Sequence, residues 1–193
     1  MATINLPQLV VQLQQMQTRV KSIRPVLSVF AASGVREIRD RFQTGIGSKG
    51  ERWSPLKFPR PEGGGKPLLS SGVLEASFTN RVTEDTITIG TAQKQAPLMN
   101  MGGTVTPKKG RFLAIPLTKE AKRAGSPRRF RRVLHARFAK NGRTGVLVDR
   151  KGVEQYLLVQ KVTVPARPFM GFSDQWRQDF LSAVTGYIKT GKL

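Results

Sequence analysis

The sequence predicts an α+β fold, with amphipathic N- and C-terminal helices packed on a mainly antiparallel sheet. Three observations carry this reading. Apolar residues recur at steps of three or four near both ends of the chain, the spacing of helices with one apolar stripe. Between them, short runs alternate apolar and polar residues around turn sequences, the spacing of hairpins. The order helices, hairpin, basic insert, hairpin, helix then segregates helices from sheet. At 193 residues a single domain, 1–193, is expected. It would carry a Gly/Pro-rich loop at 44–69 and a basic insert at 104–152.

Residues 5–24 read as the first helix, with Leu6, Leu9, Leu13, Met16, Val20 and Ile23 on one stripe. Asn5 suits the N-cap and Pro7 the first turn. Pro25 breaks or kinks it. A second stripe follows, through Leu27, Phe30, Ala31, Val35, Ile38 and Phe42, and ends in the glycine-rich TGIGSKG. In the loop at 44–69, Trp53 is the large side chain expected to anchor the segment. SSGVLEASF, 70–78, reads as a short helix with a serine N-cap. FTNRVTEDTITIGT reads as a hairpin around TEDT, with Phe78, Asn80, Val82, Ile87 and Ile89 in alternation. APLMNMGG is a short apolar piece closed by two glycines. RFLAIPL is a strand and TKEAKRAG a helical turn, while SPRRFRRVLHARFAKNG reads as a basic arm or loop. RTGVLVDRKGVEQYLLVQKVTVP is a second hairpin turning at 149–152. Ser173 caps the last helix, Asp174 complements its positive end, and Trp176, Phe180, Val184 and Ile188 form its stripe before Gly191.

Charge is the dominant compositional feature. Lys and Arg number 33 against 12 acids, a net of +21. Residues 104–152 hold fifteen Lys/Arg against Glu120 and Asp149, so +13 of that excess lies there. Such a surface attracts polyanions, either nucleic acid or an acidic protein face. The chain has no cysteine, which excludes disulfides, thiolate zinc sites and cysteine nucleophiles. No apolar run approaches the roughly 20 residues of a membrane span, and the start lacks a signal-peptide pattern. A cytoplasmic site of synthesis and use is expected.

Sequence patterns for catalysis do not assemble. GGGK has Arg60 where a phosphate-binding loop needs glycine and Pro67 where it needs Ser or Thr, so it reads as a flexible turn. His135 is the only histidine and stands among arginines, as an exposed surface residue would. Glu120 and Lys122 match half of a metal-dependent nuclease motif. The nearest upstream acid, Asp85, falls in a turn rather than on a neighbouring strand. No catalytic residue, metal or cofactor is expected. The basic insert reads in two ways: Phe130 and Phe138 among basic residues as a grip on phosphates and bases, or an arm that orders only in an assembly.

One constellation goes further. Phe42, Gly50, Trp53, Pro55 and Leu56 come first; then Leu69, Ser71, Gly72, Leu74 and Ser77; then Gly102 and Gly103; then Pro165, Ala166, Arg167, Pro168, Phe169, Met170 and Gly171. In this order the residues resemble the virion morphogenesis, or tail completion, family of tailed bacteriophages, and its Mu-like branch in particular. FLAIPLTKEAKRAG resembles a segment of its longer members. The resemblance covers most of the chain. It departs before the glycine pair, where Pro97 and Met99 stand in place of the family's usual Tyr-Ala and His or Gln.

The resemblance implies a structural subunit of the phage neck, forming a ring at the junction of connector and tail, sixfold or twelvefold. Its partners would be copies of itself, other neck, connector and tail proteins, and genomic DNA passing through the channel. Its place would be the virion, after assembly in the host cytoplasm. A tail terminator capping the tube, a nucleic-acid binder outside the virion, and a nuclease are the competing readings. The fold and interface signature would be Trp53, Pro165, Arg167, Pro168 and Phe169. The two prolines fix φ and push their preceding residues extended, Phe169 plugs the core, and Arg167 bonds carbonyls or an acidic neighbour. The turn would thereby set the angle of the last helix. The insert's cations facing DNA or an acidic partner would be Lys108, Lys109, Arg111, Arg128, Arg129, Arg131, Arg132, Arg137, Lys140 and Arg143.

Overall fold

Asn5 starts the first helix by accepting a hydrogen bond from the Gln8 amide, 3.4 Å, and α1 runs Leu6–Lys21. Pro25 acts as an initiator: α2 spans Arg24–Thr44 with this proline in its first turn, where no amide is needed. Gly45, at φ 71°, closes α2 in the left-handed conformation and donates its amide to the Arg41 carbonyl. The computed structural model describes residues 5–56, 65–140 and 142–192. The centre of the Gly/Pro-rich loop therefore lies outside the described residues.

The chain divides into two compact units. The first gathers the residues up to Arg52, Ser71–Ala96 and those from Pro168 onward. In it, α2 buries Leu27, Ala31, Val35, Ile38 and Phe42 of the predicted second stripe, together with Val26, while Phe30 of that stripe is half-buried. A short helix α3, Val73–Ala76, follows Gly72, whose φ of 73° puts it in the cap position; the serine cap expected there makes no hydrogen bond. The hairpin of β1, Thr79–Val82, and β2, Ile87–Gly90, turns at TEDT as expected and packs on α2. Further along lies α6, Asp174–Thr190, capped by Ser173. Its Trp176 and Phe180 meet Phe30 of α2 edge-on at 5.4 and 5.2 Å. Gly34 permits this approach, since a Cβ there would lie 2.7 Å from Ile89 and 3.0 Å from the Phe172 ring. Arg19 of α1 donates to the carbonyls of Ile188 and Lys189, answering the unpaired end of α6.

The second unit holds Trp53–Ser70 and Pro97–Arg167. Beyond α4, Ala96–Met101, its strands are β3, Gly103–Val105; β4, Leu113–Pro116; β5, Leu134–Phe138; β6, Thr144–Asp149; β7, Glu154–Val159; and β8, Val162–Val164. Four form an antiparallel sheet in the order β4-β7-β6-β5, and β3 pairs separately with β8. α5, Lys119–Ala124, lies over the sheet. Its Ala121 packs with Phe130 and Tyr156, beside Ala114, Leu134 and Leu147. The Tyr156 hydroxyl donates to the Ala121 carbonyl at 2.9 Å, and burial raises its pKa.

Two local expectations change. The segment read as a basic arm contains a 3-10 turn, Pro127–Arg129, and an edge strand, β5. Its arginines hid the alternation, because on an edge strand only Leu134 needs to point into the core. The segment after β7 does not extend that hairpin. It becomes β8, whose partner β3 lies some sixty positions upstream, beyond the reach of local pattern.

Candidate functional site

Arg167 is the centre of the first construction, in the second unit. Its side chain is buried, and its Nε and Nη2 donate to the Ser54 carbonyl at 3.1 and 3.0 Å. Nη2 also donates to the Pro55 carbonyl at 3.3 Å. The Arg167 amide donates to the Met99 carbonyl at 3.1 Å. One residue thus joins three separated segments: the Trp-Ser-Pro-Leu piece, the apolar piece before the glycine pair, and the Pro-Ala-Arg-Pro turn. Trp53 is buried in the same unit. Gly102 explains the glycine pair. It sits at φ 73°, and a Cβ would lie 2.6 Å from the Ala166 amide and 2.9 Å from the Val164 carbonyl. Gly103 then pairs with Val164 to begin the β3–β8 ladder, which leads into Pro165.

The first unit takes over at Pro168. Phe169 is fully buried in a triangle of rings with Phe42 and Phe78, at centroid distances of 5.2 and 5.6 Å. A second buried arginine, Arg41 of α2, donates to the carbonyls of Phe169 and Gly171, both at 2.6 Å. Arg41 also pairs with Glu37 at 2.8 Å, and Glu37 accepts from the Ser173 amide at the cap of α6. The turn therefore fixes where α6 begins on α2. Sequence reasoning missed Arg41. Its signal was position: it stands three residues after Ile38, on the apolar stripe, where a surface arginine would not.

The basic segment forms the remaining candidate surface. Lys108, Lys109, Arg111, Arg128, Arg129, Arg131, Arg132, Arg137, Lys140 and Arg143 are all exposed. Both acids of residues 104–152 turn to one guanidinium: Arg132 lies 3.5 Å from Glu120 and 3.4 Å from Asp149. Asp149 is buried and accepts from the amides of Lys151 and Val153 and from Gln155. These bonds, the Val153 amide foremost, hold its pKa below the ordinary value. His135 is exposed on β5, and Asp85 lies in the hairpin turn, bonded to Thr83 and Thr86. Of the two aromatics expected to serve the insert as a pair, Phe130 is committed to the core, edge-on to Tyr156. Phe138 instead meets Phe112, at 5.4 Å between centroids, a partner 26 positions upstream and outside the arm, which pattern could not supply.

A family model described as the phage virion morphogenesis family matches residues 4–189. The chain belongs to this family. Membership makes it a virion component with a structural or assembly role, in a family of virion morphogenesis that is not known as enzymatic. No curated protein and no solved structure matches the chain. Among the described residues, no helix is long and apolar enough to cross a membrane. Of the residues that carry the resemblance, Pro55 and Phe169 accept from Arg167 and Arg41 in turn, while Met99, bonded to the Arg167 amide, is where the chain departs from it.

Proposed function

We propose that this member of the phage virion morphogenesis family is a tail completion subunit, which forms a ring at the neck where tail meets head. Support comes first from the family match, which spans nearly the whole chain and gives the virion role. The observation that carries the ring is α1. It buries none of its residues, and Leu6, Leu9, Leu13 and Val20 of its stripe, with Val10 beside them, all stand exposed, Leu6 at 67%. An apolar stripe of this extent on water is the mark of a surface covered in an assembly. A neighbouring copy receiving α1 on a different surface makes a heterologous contact, and such contacts close into rings. Side chains in this reading do no chemistry; they hold a shape between two tubular parts.

The test has two arms. Electron microscopy of particles carrying a tag after Lys192 should place density at the head–tail junction. Density along the tail tube away from the head would overturn the neck reading. Sedimentation of the purified chain, alone and with connector protein, should give a closed oligomer in at least one condition. A monomer in both overturns the ring.

A further inference from the structure

The open end of the four-stranded sheet carries a surface that the ring does not explain. At this end Phe138, exposed at 52%, lies flat across the neighbouring strand. Gly145 makes room for it, since a Cβ there would fall 2.6 Å from the Phe138 ring. Phe112 supports the ring from beside it, and the Arg111 guanidinium stands 5.4 Å over Phe112. Arg137, next to Phe138 on β5, lines a shallow groove together with it and with Ala139, Thr144 and Val146. Lys140 follows in the turn, and Arg128, Arg129 and Arg131 precede the strand, all exposed. As the edge strand, β5 turns every second backbone N–H away from β6.

We propose that this edge binds double-stranded DNA without sequence preference. Arg128, Arg129, Arg131, Arg137 and Lys140 contact phosphates, and Phe138 rests on deoxyribose. Three features favour DNA over an acidic protein. Arg132 takes up Glu120 and Asp149, which leaves Glu154 of β7 as the one other acid of the described sheet strands, against a large excess of exposed cations. The cations are spread along the chain before, on and after the edge strand: Arg128, Arg129 and Arg131 precede β5, Arg137 is on it and Lys140 follows it. β5 alone rises about 13 Å, roughly four steps of a duplex at about 3.4 Å each. An exposed ring backed by a second ring and an arginine also fits an apolar sugar face beside phosphate, whereas the negative face of an aromatic ring gains nothing from carboxylates. The inference rests on this surface alone and does not require the ring. It is read on the isolated chain, so its failure and that of the neck assignment are distinguishable.

The experiment is fluorescence anisotropy of the full chain with labelled 30-base-pair duplexes of two unrelated sequences, over a KCl series. Five phosphate contacts predict that log K falls with log salt at a slope of about −4.5, equal for both sequences. Replacing Arg131, Arg137 and Lys140 together by Gln should weaken binding at least tenfold and make the slope shallower by about 2.7. Phe138→Ser should weaken binding without changing the slope. A control triple, Lys21→Gln, Lys94→Gln and Lys192→Gln, removes the same charge elsewhere and should leave affinity within about twofold. Circular dichroism melts confirm that each variant is folded. Equal weakening by the control triple would show mere bulk charge and overturn the site. Displacement of the duplex by poly-L-glutamate at equal charge concentration, or tighter binding of a single strand, would overturn the choice of partner. The competitor arms use the unmodified chain, so the proposal stays testable if a variant fails to fold.

Discussion

Two buried arginines do similar work on the signature turn, and their energetics separate them from surface charge. Arg167 satisfies the Ser54 and Pro55 carbonyls, and Arg41 those of Phe169 and Gly171. Arg167→Ala leaves buried acceptors without their donor and should cost about 2–3 kcal/mol, read as a lower urea midpoint. Arg167→Lys should recover only part of this, because an ammonium cannot span two carbonyls as a guanidinium does. Phe169→Ala should cost more, about 3–5 kcal/mol, by opening a cavity between Phe42 and Phe78. An unchanged melting temperature would contradict the packing. An arginine between two prolines was legible as a constrained residue from the sequence. The carbonyls it serves were not, because Ser54 and Met99 lie more than a hundred and nearly seventy positions away.

At the scale of elements, the β6–β7 hairpin shows one titration with a definite sign. The Asp149 carboxylate accepts from the turn's own amides, so its folded pKa lies below the ordinary carboxylate value of 3.8. A group lowered on folding stabilises above its unfolded pKa and loses that contribution as pH falls through the folded value. Thermal melts should therefore show an acid limb below about pH 4, and Asp149→Asn should flatten it while lowering stability at neutral pH. A limb of unchanged steepness in the variant would place the acid sensitivity elsewhere. Helix α1 offers the contrasting case, an element whose stripe was legible but whose use was not. The same spacing that marks a core-facing helix produced one with no buried residue. Leu9→Glu with Leu13→Glu should abolish the oligomer in sedimentation while leaving the subunit's own stability within about 0.5 kcal/mol. A large drop in melting temperature would mean that the apolar stripe, and not only Arg19, holds α1 to its own chain.

Over the whole molecule, the family motifs fall where the chain passes between its two compact units. The passages lie at Arg52 to Trp53, Ser70 to Ser71, Ala96 to Pro97 and Arg167 to Pro168. Arg167 and Phe169, on either side of the last passage, are both held by contacts with residues distant in the chain. On the proposed function, phage lacking this protein should accumulate full heads and finished tails that fail to join, counted by negative-stain microscopy of lysates. Normal joined particles would exclude a neck role.

The amino-acid order alone determined the α+β class, the helices at both ends, the TEDT hairpin, the turn at 149–152 and the family, because each rests on local spacing or on residues whose order survives without coordinates. Tertiary structure decided what those elements meet. It paired β3 with β8, turned a presumed arm into an edge strand, sank Phe130 while leaving Phe138 out, and put Arg41 on the turn that Phe169 anchors. The physical reason is range. Helix and hairpin periodicity is written in neighbours a few positions apart, whereas a buried guanidinium, a close glycine and a ring contact depend on atoms brought together only when the whole chain has folded.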